Sequence, residues 1–181
     1  MDDNIRVADE LIRQAASQGA EFILTPEMTT LLDFESKQVL KKITIERDTS
    51  WRHFSSLAKE LGVWLLIGSI AIKVGKKATN KSFLFSPEGK KIATYDKIHM
   101  FDVNLPGEDA YKESSVYVAG TEAVVASLPW GKVGLSICSD CRLYTSDAAA
   151  DRLCVELRCR RSHIRHNTRA IDDQRQTSHE I

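Results

Sequence analysis

The chain has 181 residues, of which 43% are hydrophobic and 28% charged, and its 25 basic residues balance 25 acidic ones. This length suffices for one domain with its own hydrophobic core, and a net charge of zero gives no support for binding to nucleic acid or to an anionic membrane. No apolar run approaches the roughly 18 residues that span a bilayer, and Met1 to Asn4 do not begin a signal peptide. We therefore expect a cytoplasmic protein with free thiols.

The first elements predicted are a helix and a strand that ends in a carboxylate. Apolar residues recur with helical spacing from Asn4 to Gln18, and Gly19 is a natural stop. Glu21 to Leu24 is predicted to be a short buried strand, followed by Pro26 and Glu27. Because sites of α/β proteins gather at strand ends, Glu27 is either a site carboxylate or a helix-start acid favoured by the macrodipole.

The middle of the chain predicts helices followed by a sheet. We expect a loop with a short helix over residues 31–48 and a longer helix over residues 49–61. Val63 to Ile70 is the strongest strand signal, because it is apolar on both faces, and it should be central in a sheet. Residues 74–81 have the composition of a basic hairpin turn.

A second predicted hairpin leads to a lysine. The strands Ser82 to Phe85 and Lys91 to Tyr95 bracket a Pro- and Gly-containing turn, and Lys97 follows the second strand. By itself, Lys97 could equally be a solvated lysine at a sheet edge. With helices mostly before strands, the order of elements favours a layered α/β protein.

The last predicted strands, residues 124–128 and 132–137, lead to a cysteine. The apolar run from Val133 gives way to small polar residues, which should present Cys138 at a turn. A cysteine in this position is either an inert buried hydrophobe or a nucleophile.

Together, Glu27, Lys97 and Cys138 could carry out acyl transfer. The Cys138 thiol needs a proton acceptor to become nucleophilic, and Glu27 could supply it if burial brings its pKa towards the working pH. A Lys97 ammonium in a water-poor site would stabilise the oxyanion that forms when an amide carbon is attacked. Spacing alone does not show that the three residues converge.

Three segments of the sequence resemble the nitrilase superfamily of carbon–nitrogen hydrolases. They are Leu24 to Glu27, Tyr95 to His99 and Gly134 to Cys138, and the segment Asn80 to Phe83 agrees with them. The resemblance covers residues 4 to about 140. It implies an α-β-β-α sandwich, of which this chain would lack the first strand and the C-terminal half, and homo-oligomeric intact members.

The resemblance also implies a mechanism and a substrate class. Glu27 would be the general base, Lys97 the oxyanion stabiliser and Cys138 the nucleophile that forms a thioester, with no metal or organic cofactor. Residues 99–114 are similar to the branch that contains omega-amidases and deaminated-glutathione amidases, in which a second glutamate, here Glu113, orders the lysine and the substrate. The implied partners are a small carboxylated amide and water, and neither nucleic acid nor a membrane.

The composition changes abruptly near residue 141. Residues 1–140 contain 13 Lys, 4 Arg and 1 Cys, whereas residues 141–181 contain no Lys, 8 Arg and 3 Cys. Cys141 to Ala149 also departs from the family pattern and resembles the translation of a sequencing adapter. We therefore predict a partial carbon–nitrogen hydrolase domain over residues 1–140 and a non-native tail over residues 141–181.

Other motifs give weaker alternatives. Cys138 and Cys141 form a C-x-x-C pattern that is typical of redox proteins, but it lacks a thioredoxin-like context. A zinc site would need ligands from the tail that are irregularly spaced, namely Cys154, Cys159, His163 and His166. The arginines of the tail could suggest a nucleic-acid-binding arm.

The sequence thus predicts hydrolysis of an amide by the family, with little or no activity and poor solubility for the chain as it stands, because unpaired strand edges would expose apolar surface. The alternative is a non-catalytic binding module that retains Glu27, Lys97 and Cys138 without the chemistry.

Overall fold

The computed structural model describes residues 2–32, 36–43, 50–103 and 111–140. Three helices and eight strands occur in these ranges, together with a 3₁₀ helix. In chain order they are α1 (Asp2–Ser17), β1 (Phe22–Leu24), α2 (Ser36–Lys42), α3 (Ser50–Leu61), β2 (Trp64–Val74), β3 (Lys77–Phe85), β4 (Lys91–Asp96), β5 (Asp102–Val103), β6 (Tyr111–Lys112), the 3₁₀ helix (Glu113–Ser115), β7 (Val125–Leu128) and β8 (Gly131–Gly134).

A four-stranded sheet with the order β1-β2-β3-β4 is the centre of the fold. Strand β1 is parallel to β2, and the remaining pairs are antiparallel. As predicted, the apolar segment that begins at Val63 forms an internal strand, and the β3–β4 hairpin is present.

The β2–β3 turn is much shorter than predicted. Only Gly75 and Lys76 connect the strands, so the prediction of a basic turn over residues 74–81 is wrong. The backbone of Gly75 has φ of 58°, a conformation that suits a tight two-residue turn. Cross-strand pairing that buries Ile72 and Ala78 outweighs the polar composition of this segment.

Each face of the sheet has its own hydrophobic core because side chains alternate along a strand. On one face, Leu65 and Ile67 of β2 pack with Ile12 of α1 and with Phe54 and Leu57 of α3. The opposite face packs against the β7–β8 hairpin, through a cluster formed by Leu84, Ala126 and Leu128 with Trp64, Leu66, Ala93 and Val133. Helices α1 and α3 therefore cover one face of the sheet, and the β7–β8 hairpin covers part of the other.

Two predicted strands differ from the observed ones. In β1, only Ile23 is buried, while Phe22 and Leu24 are exposed, because this three-residue strand lies at the edge of the sheet. The final strand ends at Gly134, not at Ile137, although Leu135 and Ile137 remain buried.

Some predictions fall outside the described residues. These are the loop around Leu105 to Gly107, the tail from residue 141, and the redox, zinc and arginine-arm alternatives that depend on that tail. Among the helices that are described, none is both long enough and apolar enough to cross a membrane.

Candidate active site

Glu27 lies in a turn that follows β1 and is held by a break in the register of β2. The β2–β3 pairing shifts between Ile67 and Ile70. At this bulge, the backbone N–H of Met28 donates to Ser69 Oγ at 2.9 Å, and the N–H of Thr29 donates to the Ser69 carbonyl at 2.9 Å. Bulges often redirect side chains beside functional sites, and this one fixes the turn that carries Glu27.

Lys97 follows β4 directly and is almost completely buried, with 1% of its surface exposed. Its backbone is fixed on both sides, because its N–H donates to the Asn80 carbonyl at 2.9 Å and its carbonyl accepts from the N–H of Gly120 at 2.8 Å. The alternative of a solvated edge lysine is therefore wrong.

Two carboxylates converge on the Lys97 ammonium. Its Nζ lies 2.9 and 3.1 Å from the two carboxylate oxygens of Glu113 and 3.4 Å from Oε1 of Glu27. Glu113 is 5% exposed, whereas the Glu27 side chain is 35% exposed. The lysine therefore pairs mainly with the buried glutamate, while Glu27 keeps one side open to solvent and is less buried than the sequence analysis supposed.

Glu113 is positioned by the segment that follows Lys97. Its backbone N–H donates to the Phe101 carbonyl at 3.2 Å, and the N–H of Phe101 donates to its Oε2 at 2.7 Å. This reciprocal pair orients the carboxylate towards the lysine, because both backbone groups of Phe101 bind the same residue.

Surrounding negative charge keeps Lys97 protonated. Burial by itself would lower the pKa of Lys97, but the hydrogen bond and charge of Glu113, followed by the charge of Glu27, raise it above its ordinary value. Lys97 is thus a permanent cation at neutral pH, as an oxyanion stabiliser must be.

Cys138 completes the set at a turn, as predicted. Its side chain is exposed and carries a free thiol, and a thiolate at this position would help to raise the pKa of Lys97. The backbone of Cys138 has φ of 49°, in the left-handed region that few residues other than glycine adopt. The turn that carries Cys138 is tied to the lysine segment, because the His99 N–H donates to Asp140 and Ser139 Oγ donates to the His99 carbonyl.

Asn80 is a component of the site that the sequence analysis did not single out. It is fully buried in β3, and its Nδ2 donates to Oε1 of Glu27 at 2.8 Å and lies 3.5 Å from Oε1 of Glu113. One amide therefore bridges the two carboxylates. The segment Asn80 to Phe83 contributed to the family resemblance, but nothing in the sequence showed where its side chains point.

The arrangement suits proton transfer and charge stabilisation next to a thiol. It combines a partly exposed carboxylate, a buried ammonium and an exposed cysteine. Throughout the described ranges, no group of three or more His, Cys, Asp and Glu side chains is arranged to hold a metal ion.

Comparison with known proteins gives close sequence relatives. The deaminated glutathione amidase of Synechocystis is 35% identical over 163 residues, which cover 84% of this chain and 60% of that protein. The omega-amidase NIT2 of Homo sapiens is 35% identical over 143 residues, covering 77% of this chain and 50% of that protein. The chain thus spans about half to three fifths of the length of these relatives.

Solved structures share the fold. The NitFhit protein of C. elegans matches 78% of this chain and 35% of its own, with a TM-score of 0.67 and 26% identity. Nit3 of Saccharomyces cerevisiae, a member of branch 10 of the nitrilase superfamily, matches 77% of this chain and 51% of its own, with a TM-score of 0.65 and 26% identity. The predicted nitrilase-type α/β fold is confirmed.

The sequence profile described as Carbon-nitrogen hydrolase matches residues 1–178, which is nearly the whole chain. This match agrees with the relatives and with the fold. The chain therefore belongs to the carbon-nitrogen hydrolase family.

Proposed function

We propose that the protein hydrolyses the amide bond of a small carboxylated amide through a thioester on Cys138. The observation that carries this proposal is the buried Lys97 ammonium, which lies between two glutamates. Hydrogen bonds tie its segment to the turn that carries the exposed thiol of Cys138. A buried ion pair is costly to form, so its position beside a reactive group favours a chemical role over a purely structural one. The names of the relatives, an omega-amidase and a deaminated glutathione amidase, support an amide as the substrate class.

In the first half of the reaction, Glu27 accepts the thiol proton while the sulfur of Cys138 attacks the amide carbon. Lys97 stabilises the oxyanion that forms. When the tetrahedral intermediate collapses, the C–N bond breaks, and the nitrogen leaves as ammonia or an amine after taking the proton from Glu27. A thioester remains on Cys138.

In the second half, a water molecule replaces the amine. Glu27 accepts a proton from this water as its oxygen attacks the thioester carbon, and Lys97 again stabilises the oxyanion. The C–S bond breaks, the sulfur recovers the proton, and the carboxylic acid leaves. Glu113 keeps Lys97 charged and in place through its two short contacts.

The test is release of ammonia from the ω-amide of a 2-oxo dicarboxylic acid by the full chain. We expect Cys138→Ala to reduce ammonia release to the uncatalysed rate in buffer, since no other group forms the thioester. Cys154→Ala should release ammonia at the rate of the unaltered chain. Hydroxylamine should divert the thioester of the unaltered chain to a hydroxamate that mass spectrometry detects.

A folded chain that releases no ammonia and forms no hydroxamate contradicts the proposal. If such a chain, and its Cys138→Ala variant, still bind the amide, the non-catalytic binding module becomes the better description. Binding measured by calorimetry on both proteins distinguishes these outcomes.

A further inference from the structure

Asp140 is a fully buried carboxylate that accepts four hydrogen bonds. Its Oδ2 accepts from the Tyr95 hydroxyl at 2.6 Å and from the Ile137 N–H at 2.9 Å. Its Oδ1 accepts from the N–H of His99 at 2.9 Å and lies 2.8 Å from Nδ1 of His99, which must carry the hydrogen because an ionised carboxylate only accepts. Such full satisfaction is what a buried charge requires.

Two of the contacts of Asp140 close the turn that contains Cys138. Its N–H donates to the Ile137 carbonyl at 3.1 Å, while its Oδ2 accepts from the N–H of Ile137. This ring encloses Cys138 and Ser139. The left-handed backbone of Cys138, with φ of 49°, is unfavourable for a residue with a side chain, so contacts of its neighbours have to hold it.

The other contacts of Asp140 reach the segment that carries Lys97. Tyr95 precedes Lys97 by two residues and His99 follows it by two, and both bind Asp140. The same segment receives a further contact, because Ser139 Oγ donates to the His99 carbonyl at 2.8 Å. The thiol and the ammonium therefore lie on two backbone segments that one carboxylate joins.

We propose that Asp140 is a positioning residue that sets the separation between Cys138 and Lys97. The inference rests on the proposed function only in that Cys138 is the group being positioned. It predicts that weakening the Asp140 contacts moves the thiol away from Lys97 before the rest of the fold is lost.

The test is the alkylation rate of Cys138 by iodoacetamide in the full chain, with each cysteine resolved by peptide mass spectrometry. Alkylation of Cys154 in the same sample is the reference for reagent and pH. We expect Asp140→Asn to lower the rate at Cys138 by tenfold or more, because an amide presents hydrogens to two of the four donors. Circular dichroism and thermal unfolding confirm that the variant is folded.

A double-mutant cycle separates positioning from general stability. In the unaltered chain, Lys97→Met should change the alkylation rate of Cys138. In the Asp140→Asn background, the fold-change caused by Lys97→Met should be at least threefold smaller, since the thiol has moved away from the lysine. Independent effects, with no coupling between the two positions, would overturn the inference.

Milder variants keep the test decisive if Asp140→Asn does not fold. Ser139→Ala removes one contact, while Tyr95→Phe removes the hydroxyl that donates to Asp140 and accepts from the Ile98 N–H at 3.3 Å. Each variant should lower the Cys138 rate about twofold to fivefold and weaken its dependence on Lys97. Ser55→Ala is the matched control, because it also removes one hydroxyl bound to a backbone carbonyl, that of Gly89, but on α3. If both variants behave like this control, Asp140 does not position the thiol.

The alkylation rates do not depend on turnover. Coupling between Asp140 and Lys97 in a chain that releases no ammonia would support the inference and contradict the proposed function. Ammonia release without coupling would support the proposed function and contradict the inference.

Discussion

Asn80 contributes both its backbone and its side chain to the site. Its carbonyl accepts from the N–H of Lys97, and its amide nitrogen donates to Glu27. A single residue in β3 thus fixes the start of the lysine segment and the orientation of the proposed base. A displacement of about 1 Å in such a site costs up to about a hundredfold in rate, so this contact should matter for catalysis.

We expect Asn80→Ala to lower the rate of ammonia release by roughly tenfold to a hundredfold, because Glu27 loses a hydrogen bond of 2.8 Å. Thr79→Val is a matched control at the neighbouring position, since the buried Thr79 hydroxyl has no hydrogen-bond partner among the described residues. Steady-state kinetics on both variants make the comparison. Equal rates for the two would show that the Asn80 amide is dispensable.

Asp140 should also give the stability of the protein a defined pH dependence. Burial by itself would raise the pKa of Asp140, but hydrogen bonds from Tyr95, Ile137 and His99 lower it below the ordinary value of 3.8. A lowered carboxyl pKa stabilises the folded state fully above the unfolded value and ceases to do so as the pH falls through the folded value.

The Asp140→Asn variant should therefore be less stable than the unaltered chain by on the order of 2 kcal/mol at neutral pH. We expect this difference to stay constant from about pH 8 to pH 5. It should shrink as the pH falls below about 4, where the carboxyl of the unfolded chain takes up a proton, and towards the lower pKa of the folded Asp140. Urea unfolding at a series of pH values measures it. A difference that persists unchanged to pH 2 would mean that the charge of Asp140 contributes nothing.

Strand β2 positions Glu27 through its bulge. The backbone N–H of Gly68 donates to Thr25 Oγ1 at 3.1 Å. The two backbone segments lie so close together that a Cβ on Gly68 would be 2.2 Å from the Thr25 carbonyl oxygen. Only glycine fits at this point without moving the turn that carries Glu27.

Gly68→Ala should destabilise the fold by about 1–3 kcal/mol and reduce amide hydrolysis, because backbone atoms of Thr25 and Pro26 must move. Gly134→Ala provides the control, since a Cβ on this strand glycine would have no neighbour within 4 Å. Thermal unfolding and ammonia release on both variants distinguish a local displacement from a general effect of added side chains. Similar behaviour of the two variants would contradict the role of the bulge.

At the scale of the whole molecule, the described residues leave an apolar groove open between α1 and β1. It is lined by side chains such as Val7, Leu11 and Leu24, of which Leu11 is 59% and Leu24 64% exposed. Contiguous apolar surface of this kind favours association, particularly beside the edge strand of a sheet.

We expect the full chain to associate as its concentration rises, and Leu24→Lys to reduce this association without a large change in thermal stability. Val118→Lys is the control, because Val118 is also exposed but does not line the groove. Light scattering over a range of concentrations measures the difference. If both variants behave like the unaltered chain, the groove does not drive association.

Most of the helices and strands could be predicted from the sequence, and so could the strand ends that carry the candidate site residues. Helical spacing predicted α1 and α3, and apolar runs predicted β2 and the β3–β4 hairpin, because these patterns reflect which side of a local element is buried. The short β2–β3 turn could not be predicted in this way, because pairing across the strands decided where each one ended.

By itself, the sequence determined the family and placed Glu27, Lys97, Glu113 and Cys138 in recognisable motifs. Only the tertiary structure decided that Lys97 lies closer to Glu113 than to Glu27, that Asn80 bridges both glutamates and that Asp140 links the Cys138 turn to the lysine segment. The physical reason is distance along the chain. Asn80 and Glu27 are 53 residues apart and Lys97 and Glu27 are 70 apart, so their contacts depend on strand register and on a bulge, which local periodicity does not encode.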